Sequence, residues 1–161
     1  MIRLVNISDA QALLDIYNYY ALNTTVTFDI KPLSLEIFED KINQIIKQYP
    51  FLVFEENKEI LGYAYGSRFR PKPAYDYVVE STVYVKHGSH GKQIGTKLYE
   101  ELIKRLSQTN LHTVLGVLTV PNDASIKLHE KFGFKQVALL KEVGYKFDAW
   151  QDVGIWQLHL T

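Results

Sequence analysis

A glycine-containing turn between an apolar strand and a helix start is the first segment that could carry chemistry. It spans residues 86–96 and holds Gly88, Gly91 and Gly95, with Lys92 beside the second glycine. A helix N-terminus leaves backbone N–H groups unpaired and carries partial positive charge, and glycine lets the backbone approach a phosphate. The segment could therefore bind a pyrophosphate, although its spacing alone favours a plain connection between a strand and a helix.

Glu80 is a carboxylate in a segment, 77–85, that otherwise consists of Tyr, Val, Ser and Thr. Glutamate is depleted in strand interiors, and a buried carboxylate needs a partner or takes a shifted pKa. Groups with shifted pKa values gather at active sites. Glu80 is therefore a candidate catalytic residue. A solvent-facing strand residue is the alternative, because half of the strand positions allow it.

Three polar side chains share one face of the helix predicted after Pro121. Asn122, Ser125 and His129 stand at positions i, i+3 and i+7, beside Leu128, and this spacing places them on one side of a helix. Such a face suits a cleft better than a core. A capping Asn together with a half-buried His explains the same spacing equally well.

A basic, aromatic loop at residues 68–75 could receive an anionic substrate. It contains Arg70, Lys72 and Tyr75, and its cations could hold the carboxylate of a small molecule. Phe28, in a long connection between two predicted helices, is a further candidate for lining a site. A solvated charged loop and an aromatic residue that caps the core are the alternatives.

The elements that must position these residues alternate between strand and helix patterns. The first helix is predicted to begin at an N-cap Ser8, with Gln11 completing a capping box. The order β-α-α-β-β-β-α-β-α-β-β indicates a mixed α/β (α+β) fold. Strands are predicted at 1–7, 51–55, 60–69, 75–86 and 113–118 and twice within 134–160, and the later helices at 34–49, 93–106 and 121–132.

Composition restricts the classes of function. The 161 residues suit a single domain, predicted to span 1–161. Lys plus Arg and Asp plus Glu balance at 18 each, which argues against a nucleic-acid or anionic-membrane partner. The absence of cysteine excludes disulfides, thiolate metal sites and a cysteine nucleophile, and no metal is expected. Because neither a signal peptide nor a run of about 20 apolar residues is present, a cytoplasmic location is expected.

The most specific stretches lie in the strand around Glu80, in the later helix and in the tail. They are Ala74-Tyr75-Asp76, Val79 to Val85, Pro121-Asn122-Asp123, Leu128-His129-Glu130, Gly144-Tyr145-Lys146-Phe147, Trp150, Asp152-Val153-Gly154 and Trp156-Gln157. Together and in this order they resemble the GNAT superfamily of N-acetyltransferases over nearly the whole chain. Within it, the resemblance is greatest to the phosphinothricin and methionine sulfoximine acetyltransferases.

The resemblance implies a twisted, mixed and mostly antiparallel sheet of about seven strands, splayed between the fourth and fifth and flanked by about four helices. Acetyl-CoA, the cosubstrate, would insert at the splay. The loop departs from the superfamily pattern at His90 and Gln93, whereas His129 is normal in the phosphinothricin group. The implied cofactor-binding residues are Val83, Tyr84, Val85, His90, Gly91, Lys92, Gln93, Ile94, Gly95, Thr96, Asn122 and Ser125.

The resemblance also implies a reaction. An acetyl group would pass directly to the α-amino group of a small amino-acid-like molecule such as phosphinothricin, methionine sulfoximine or methionine sulfone, in detoxification or in metabolism. Glu80 would remove the ammonium proton, a backbone N–H near Tyr84 would polarise the thioester carbonyl, and His129 would protonate the thiolate or assist the base. The acceptor site would be lined by Phe28, Arg70, Lys72 and Tyr75.

Three other functions stay open: acetylation of another primary amine, such as a polyamine or a protein N-terminus, a non-catalytic acyl-CoA-binding module, and a structural domain. The basic loop argues against a polyamine site, and the presence of both Glu80 and His129 argues against a module without catalysis. The aromatic tail at 143–160 predicts a homodimer. The alternative is that its rings complete the core of one chain, above all Trp156.

Overall fold

The computed structural model describes all residues from 1 to 161. Its strands and helices follow the predicted order. The strands are β1 (Ile2–Leu4), β2 (Phe51–Glu56), β3 (Glu59–Arg68), β4 (Val78–Val85), β5 (Thr113–Val120), β6 (Lys135–Lys146) and β7 (Ala149–His159). The helices are α1 (Ala10–Asn23), α2 (Leu35–Ile45), α3 (Ile94–Ser107) and α4 (Asp123–Lys131), and two 3-10 turns lie at Ile7–Asp9 and Pro73–Tyr75.

The seven strands form one sheet in the order β1-β2-β3-β4-β5-β7-β6. Neighbouring strands are antiparallel except β4 and β5, which run parallel. These two pair only from Val78 opposite Thr113 to Glu80 opposite Leu115, although each strand has 8 residues. Further along, β4 stays paired with β3 and β5 with β7. The sheet therefore opens between its fourth and fifth strands, and the predicted fold class is confirmed.

Side-chain alternation divides the interior into two cores, one on each face of the sheet. On β2, Phe51 and Val53 pack with α1 and α2, whereas Leu52 and Phe54 pack with α3. Successive strand residues point to opposite faces, so an unbroken apolar run is what a strand covered on both sides requires. We call the two sides the α1–α2 face and the α3 face.

The N-terminal cap differs from the prediction of Ser8 with Gln11, which is wrong. The side chain of Asn6 caps the 3-10 turn that leads into α1, and Asp9 closes the capping box. Arg3 holds Asp9 through two hydrogen bonds of 2.8 and 2.9 Å. Because this bidentate pair fixes the carboxylate next to the Asn6 backbone N–H, the N-cap is Asn6, two residues before Ser8.

Strand boundaries also differ at β1 and β4. The first strand ends at Leu4, and β4 begins at Val78 instead of residue 75. Pro73 has no N–H to give to a sheet and its fixed φ suits the first turn of a helix, so residues 73–75 form a 3-10 turn. None of the four helices has the length and apolar character needed to cross a bilayer.

Candidate active site

Alternation along β4 places Glu80 and Ser81 on opposite faces of the sheet. The Ser81 hydroxyl hydrogen-bonds to the Tyr99 hydroxyl on α3, so Ser81 lies on the α3 face. Glu80 consequently lies on the α1–α2 face. Tyr84 shares that face, because its ring packs against Tyr17 of α1 with 5.5 Å between the centroids.

The Glu80 carboxylate is half-buried and has no hydrogen-bond partner or ion-pair partner. Burial raises its pKa, and the Lys41 ammonium on α2 partly opposes that rise. Lys41 lies 5.6 Å from the ring centroid of Tyr17 and 5.5 Å from that of Tyr65. It takes part in none of the ion pairs of the chain. A carboxylate with a raised pKa is a better proton acceptor near neutral pH than an exposed one.

A cavity of about 190 Å³ lies where β4 and β5 separate. It touches both faces of the sheet, since Glu80 and His129 both line it. Thr27 from the connection between α1 and α2 forms part of its wall. Val26 of the same connection also lines it, and the other lining residues come from the two strands and the start of α4: Ser81, Thr82, Val83, Tyr84, Val117, Leu118, Thr119, Asn122 and Ser125.

The backbone of β4 presents N–H groups to this opening. The N–H of Lys86 donates to the carbonyl of Leu61 on β3 at 2.8 Å. Because the two edges of a strand alternate in an antiparallel pair, Val83 and Val85 turn their N–H groups away from β3, toward the side on which no strand pairs. The N–H of Tyr84 turns to β3. The backbone N–H expected to polarise the thioester carbonyl is therefore that of Val83 or Val85 and not that of Tyr84.

A second cleft, of about 270 Å³, adjoins the first and shares part of its lining. It runs along the end of β4 to the glycine turn. Gly91 and Gln93 there have φ values of 94° and 58°, which bend the chain sharply into α3. Helix geometry leaves the first N–H groups of α3 without acceptors, and no side chain caps them. The residues that line this second cleft include Val83, Tyr84, Val85, Ser89, His90, Gly91, Gln93, Ile94, Gly95, Thr96, Asn122, Ser125 and Leu128.

His129 of α4 is 2% exposed, and both of its ring nitrogens have partners. Nδ1 lies 2.7 Å from the Ser125 carbonyl oxygen and Nε2 lies 2.9 Å from the Tyr99 hydroxyl. A carbonyl only accepts, so Nδ1 carries the proton and Nε2 accepts one from Tyr99. Burial lowers the His129 pKa, and the Ser125 bond opposes that shift. The neutral ring thus has no N–H free for another acceptor.

The comparisons with known proteins agree with this architecture. The acetyltransferase (GNAT) domain family matches residues 2–155. This chain belongs to the GNAT acetyltransferases.

Two relatives and one solved structure show how similar this GNAT acetyltransferase is to known members. The phosphinothricin N-acetyltransferase of Streptomyces viridochromogenes is 36% identical over 156 residues, covering 97% of this chain and 85% of that protein. The L-methionine sulfoximine/L-methionine sulfone acetyltransferase of Salmonella typhimurium is 33% identical over 161 residues, covering 99% and 94%. A GNAT superfamily phosphinothricin acetyltransferase from Sinorhizobium meliloti, solved in complex with acetyl-CoA, has a TM-score of 0.96 at 30% identity, covering 99% of this chain and 88% of that one.

The basic loop of this GNAT acetyltransferase lies outside both cavities. The Arg70 guanidinium lies 4.9 Å from the Phe69 ring centroid and 5.7 Å from that of Tyr75. Lys72 immediately precedes the 3-10 turn that contains Tyr75. None of these side chains lines the cavity at Glu80. The structure therefore brings together Glu80, His129 and the predicted cofactor-binding residues other than Lys92, but not the loop.

Phe28 and Lys92 are also turned away from the cavities. The Phe28 ring packs so closely on Gly144 of β6 that a Cβ at Gly144 would lie 2.4 Å from ring atoms. Lys92 forms an ion pair with Glu56 at 3.3 Å, and both side chains are exposed. A surface pair of this kind is worth about 0–1 kcal/mol, so it restrains Lys92 only weakly.

Sequence reasoning missed several residues of the site. Thr27 lines the opening on the α1–α2 face, the Lys41 charge acts on Glu80, and Tyr99 and Gly116 hold His129 in place. The only available signal was for Lys41, a cation one position before the buried Ile42 in the apolar stripe of α2. In the sequence, Tyr99 and Gly116 are typical helix and strand residues. Only the tertiary fold brings them into contact with His129 of α4.

A larger groove, of about 620 Å³, lies between α1 and the β2–β3 hairpin, away from Glu80. Three of its four carboxylates form ion pairs. Lys86 pairs with Glu59, and Arg3 pairs with Asp9 and Glu55. Nowhere in the chain are three or more His, Asp or Glu side chains grouped so that they could hold a metal ion.

Proposed function

We propose that this GNAT acetyltransferase transfers an acetyl group from acetyl-CoA directly to the α-amino group of a small amino-acid-like acceptor. The observation that carries the proposal is the unpartnered, half-buried carboxylate of Glu80 at the opening between β4 and β5. The names of the relatives favour phosphinothricin, methionine sulfoximine and methionine sulfone as acceptors.

The cleft beside the opening fits acetyl-CoA, which supplies the acetyl thioester. The uncapped N-terminus of α3 and the turn at Gly91 suit its pyrophosphate. The N–H groups of Val83 and Val85 suit the pantetheine arm and the thioester carbonyl, which a preorganised backbone donor polarises. The complex of the Sinorhizobium meliloti protein with acetyl-CoA supports the same use of the fold.

Glu80 acts on the acceptor in this proposal. Its carboxylate takes a proton from the ammonium group, directly or through water, and so frees the lone pair that attacks the thioester carbon. His129 has no free N–H, so we assign it a positioning role for the α3 face and leave protonation of the departing thiolate to water. No covalent enzyme intermediate is needed, which agrees with the absence of cysteine.

Two sets of cations are proposed to hold the anionic groups of the acceptor. Lys41 is free of ion pairs and stands on the same face as Glu80. Arg70 and Lys72, with Tyr75, lie on the loop before β4 and would reach an acceptor longer than the cavity at the opening. A charge-assisted hydrogen bond to a carboxylate contributes about 1.5–3 kcal/mol, enough for at least a tenfold preference for an anionic acceptor.

The acceptor preference is testable in a thiol-release assay. We expect kcat/KM for methionine sulfoximine and phosphinothricin to exceed that for spermidine or a peptide with a free N-terminus by at least about tenfold. Isothermal titration of acetyl-CoA without acceptor provides the control, since binding should not depend on the amine. A higher kcat/KM for spermidine or the peptide would refute the acceptor class, and absence of acetyl-CoA binding would refute the reaction itself.

A homodimer is proposed on the basis of the outer strands. β6 is an edge strand, and β6 and β7 expose apolar side chains: Val137, Leu139, Leu140, Val143, Tyr145 and Trp150. Trp156, by contrast, is buried in the core of the α3 face, so it does not contribute to the patch. Exposed apolar side chains on an edge strand and its neighbour are typical of interfaces.

We expect light scattering at micromolar concentration to give twice the 18.6 kDa chain mass. Trp150→Glu should shift the mass toward one chain, because it buries a charge in the interface. Ile37→Glu, at an exposed position of α2, should leave the mass unchanged. A monomeric wild-type protein would refute the dimer.

A further inference from the structure

Lys146 at the end of β6 is a cation inside the molecule, with 4% of its surface exposed. Its ammonium donates to three backbone carbonyls: Ala21 at 2.7 Å, Thr27 at 2.8 Å and Asp29 at 2.8 Å. An ammonium has three N–H donors, so all of its hydrogen-bonding capacity is used. A buried charge is tolerated only when it is fully bonded in this way.

The three carbonyls belong to the end of α1 and to the connection, residues 24–34, between α1 and α2. The last carbonyls of a helix lack intrahelical partners and carry partial negative charge, which explains why a cation is stable beside Ala21. The connection itself has no sheet or helix ladder, and its N–H groups bond to nearby side chains. Val26 donates to the Thr24 hydroxyl and Leu33 donates to the Asn18 side chain.

Two further contacts hold the same connection. The Phe28 ring packs on Gly144, two residues before Lys146 on β6, in space that a Cβ would occupy. From the other side, the Tyr17 hydroxyl of α1 hydrogen-bonds to the Thr27 hydroxyl at 2.8 Å and to the Asp29 carboxylate. The connection is thus held between α1 and β6, and Lys146 is its only charged contact with β6.

Val26 and Thr27, near the start of this connection, line the cavity that Glu80 also lines. We propose that Lys146 is a positioning residue, whose ammonium fixes the connection between α1 and α2 so that Val26 and Thr27 form one wall of the acceptor site. The inference rests on the proposed function for its consequence in catalysis. Its structural half, that Lys146 immobilises residues 24–30, is independent of which acceptor is used.

The test compares hydrogen exchange and steady-state kinetics in Lys146→Met and in Lys135→Met, a matched change at an exposed position of the same strand. We expect amides 24–30 to exchange at least about tenfold faster in Lys146→Met, with the β2–β3 hairpin unchanged. The KM for the acceptor should rise about tenfold to a hundredfold, since misplaced site walls weaken productive binding. The acetyl-CoA Kd should stay close to the wild-type value, and Lys135→Met should resemble wild type throughout.

Lys146→Arg keeps the charge but replaces three spread donors with a planar fork, so its exchange should rise less. Lys146→Arg is the variant that tests the positioning role if Lys146→Met does not fold. Wild-type exchange at 24–30 in a folded variant at position 146, or an equal rise throughout the chain, would overturn the positioning role. If the wild-type enzyme acetylates none of the tested amines, the proposed function fails. The hydrogen-exchange data still test whether Lys146 immobilises residues 24–30.

Discussion

Replacement of Glu80 by Gln should lower kcat/KM for the amine acceptor by about 10²–10⁴-fold, the usual contribution of a positioned general base. Gln has the same shape but cannot take the ammonium proton. Because the carboxylate has no partner within the chain, the substitution leaves no other polar group without a hydrogen-bond partner. The acetyl-CoA Kd, measured by titration, should therefore stay close to the wild-type value. Glu100→Gln, on the exposed side of α3, is the matched control.

The Glu80 carboxyl makes the stability of the wild-type protein depend on pH, and the sign of this dependence follows from its pKa shift. Burial raises the Glu80 pKa above its ordinary value of 4.5, so the ionised group destabilises the folded chain. The linked stability is greatest below that value and is lost as pH rises through the higher folded-state pKa. At pH 7, the Tm of Glu80→Gln should therefore be equal to or higher than that of the wild-type protein. Wild-type kcat/KM in the variant at neutral pH would remove Glu80 from the mechanism.

The second large effect is expected at Gly116 on β5. A Cβ there would lie 2.4 Å from the Cδ2 and Nε2 atoms of His129, so Gly116→Ala must displace a buried ring that is bonded at both nitrogens. Overpacking costs about 1–3 kcal/mol, and a broken bond to Tyr99 leaves a buried polar group unsatisfied at about 1–3 kcal/mol more. The Tm should fall by about 5–20 °C, as measured by calorimetry.

A glycine in a looser setting provides the control for Gly116→Ala. A Cβ at Gly95 would meet Val85 at 3.6 Å and Leu128 at 3.8 Å, which are ordinary contacts. Since Gly95 is helical, Gly95→Ala should leave the free energy of unfolding unchanged or raise it by about 0.5–1 kcal/mol. An unchanged Tm in Gly116→Ala, with wild-type chemical shifts for the His129 ring, would contradict the packing argument.

Local patterns were sufficient to predict the order of the elements and to make Glu80 a candidate catalytic residue. The order of strands and helices followed from apolar periodicity, and Glu80 stood out because a single strand held it among Val, Thr and Tyr. The N-terminal cap was mispredicted because its deciding contact is the pairing of Arg3 with Asp9. Ser8 with Gln11 has the same local signature, and sequence spacing does not show which carboxylate a neighbouring strand will hold.

The rest of the site depends on contacts between distant segments. His129 was visible as a polar residue on a helix face, but its partner Tyr99 lies 30 residues away on another helix, and that bond removes its free nitrogen. The bond from Lys146 to Ala21 spans 125 residues. For Arg70 and Lys72, composition marked a charged loop, yet charge alone carries no information about which way a loop side chain points.

The short parallel pairing of β4 with β5 bears on how such a protein can change its substrate over time. On the proposed reaction, acetyl-CoA is held by backbone groups around the N-terminus of α3, whereas the acceptor meets side chains on the opposite face of the sheet. Lys41 and the loop before β4 contact none of those backbone groups. Substitutions at these positions can therefore change which amines are accepted in a lineage of such proteins while the backbone groups that hold acetyl-CoA stay the same.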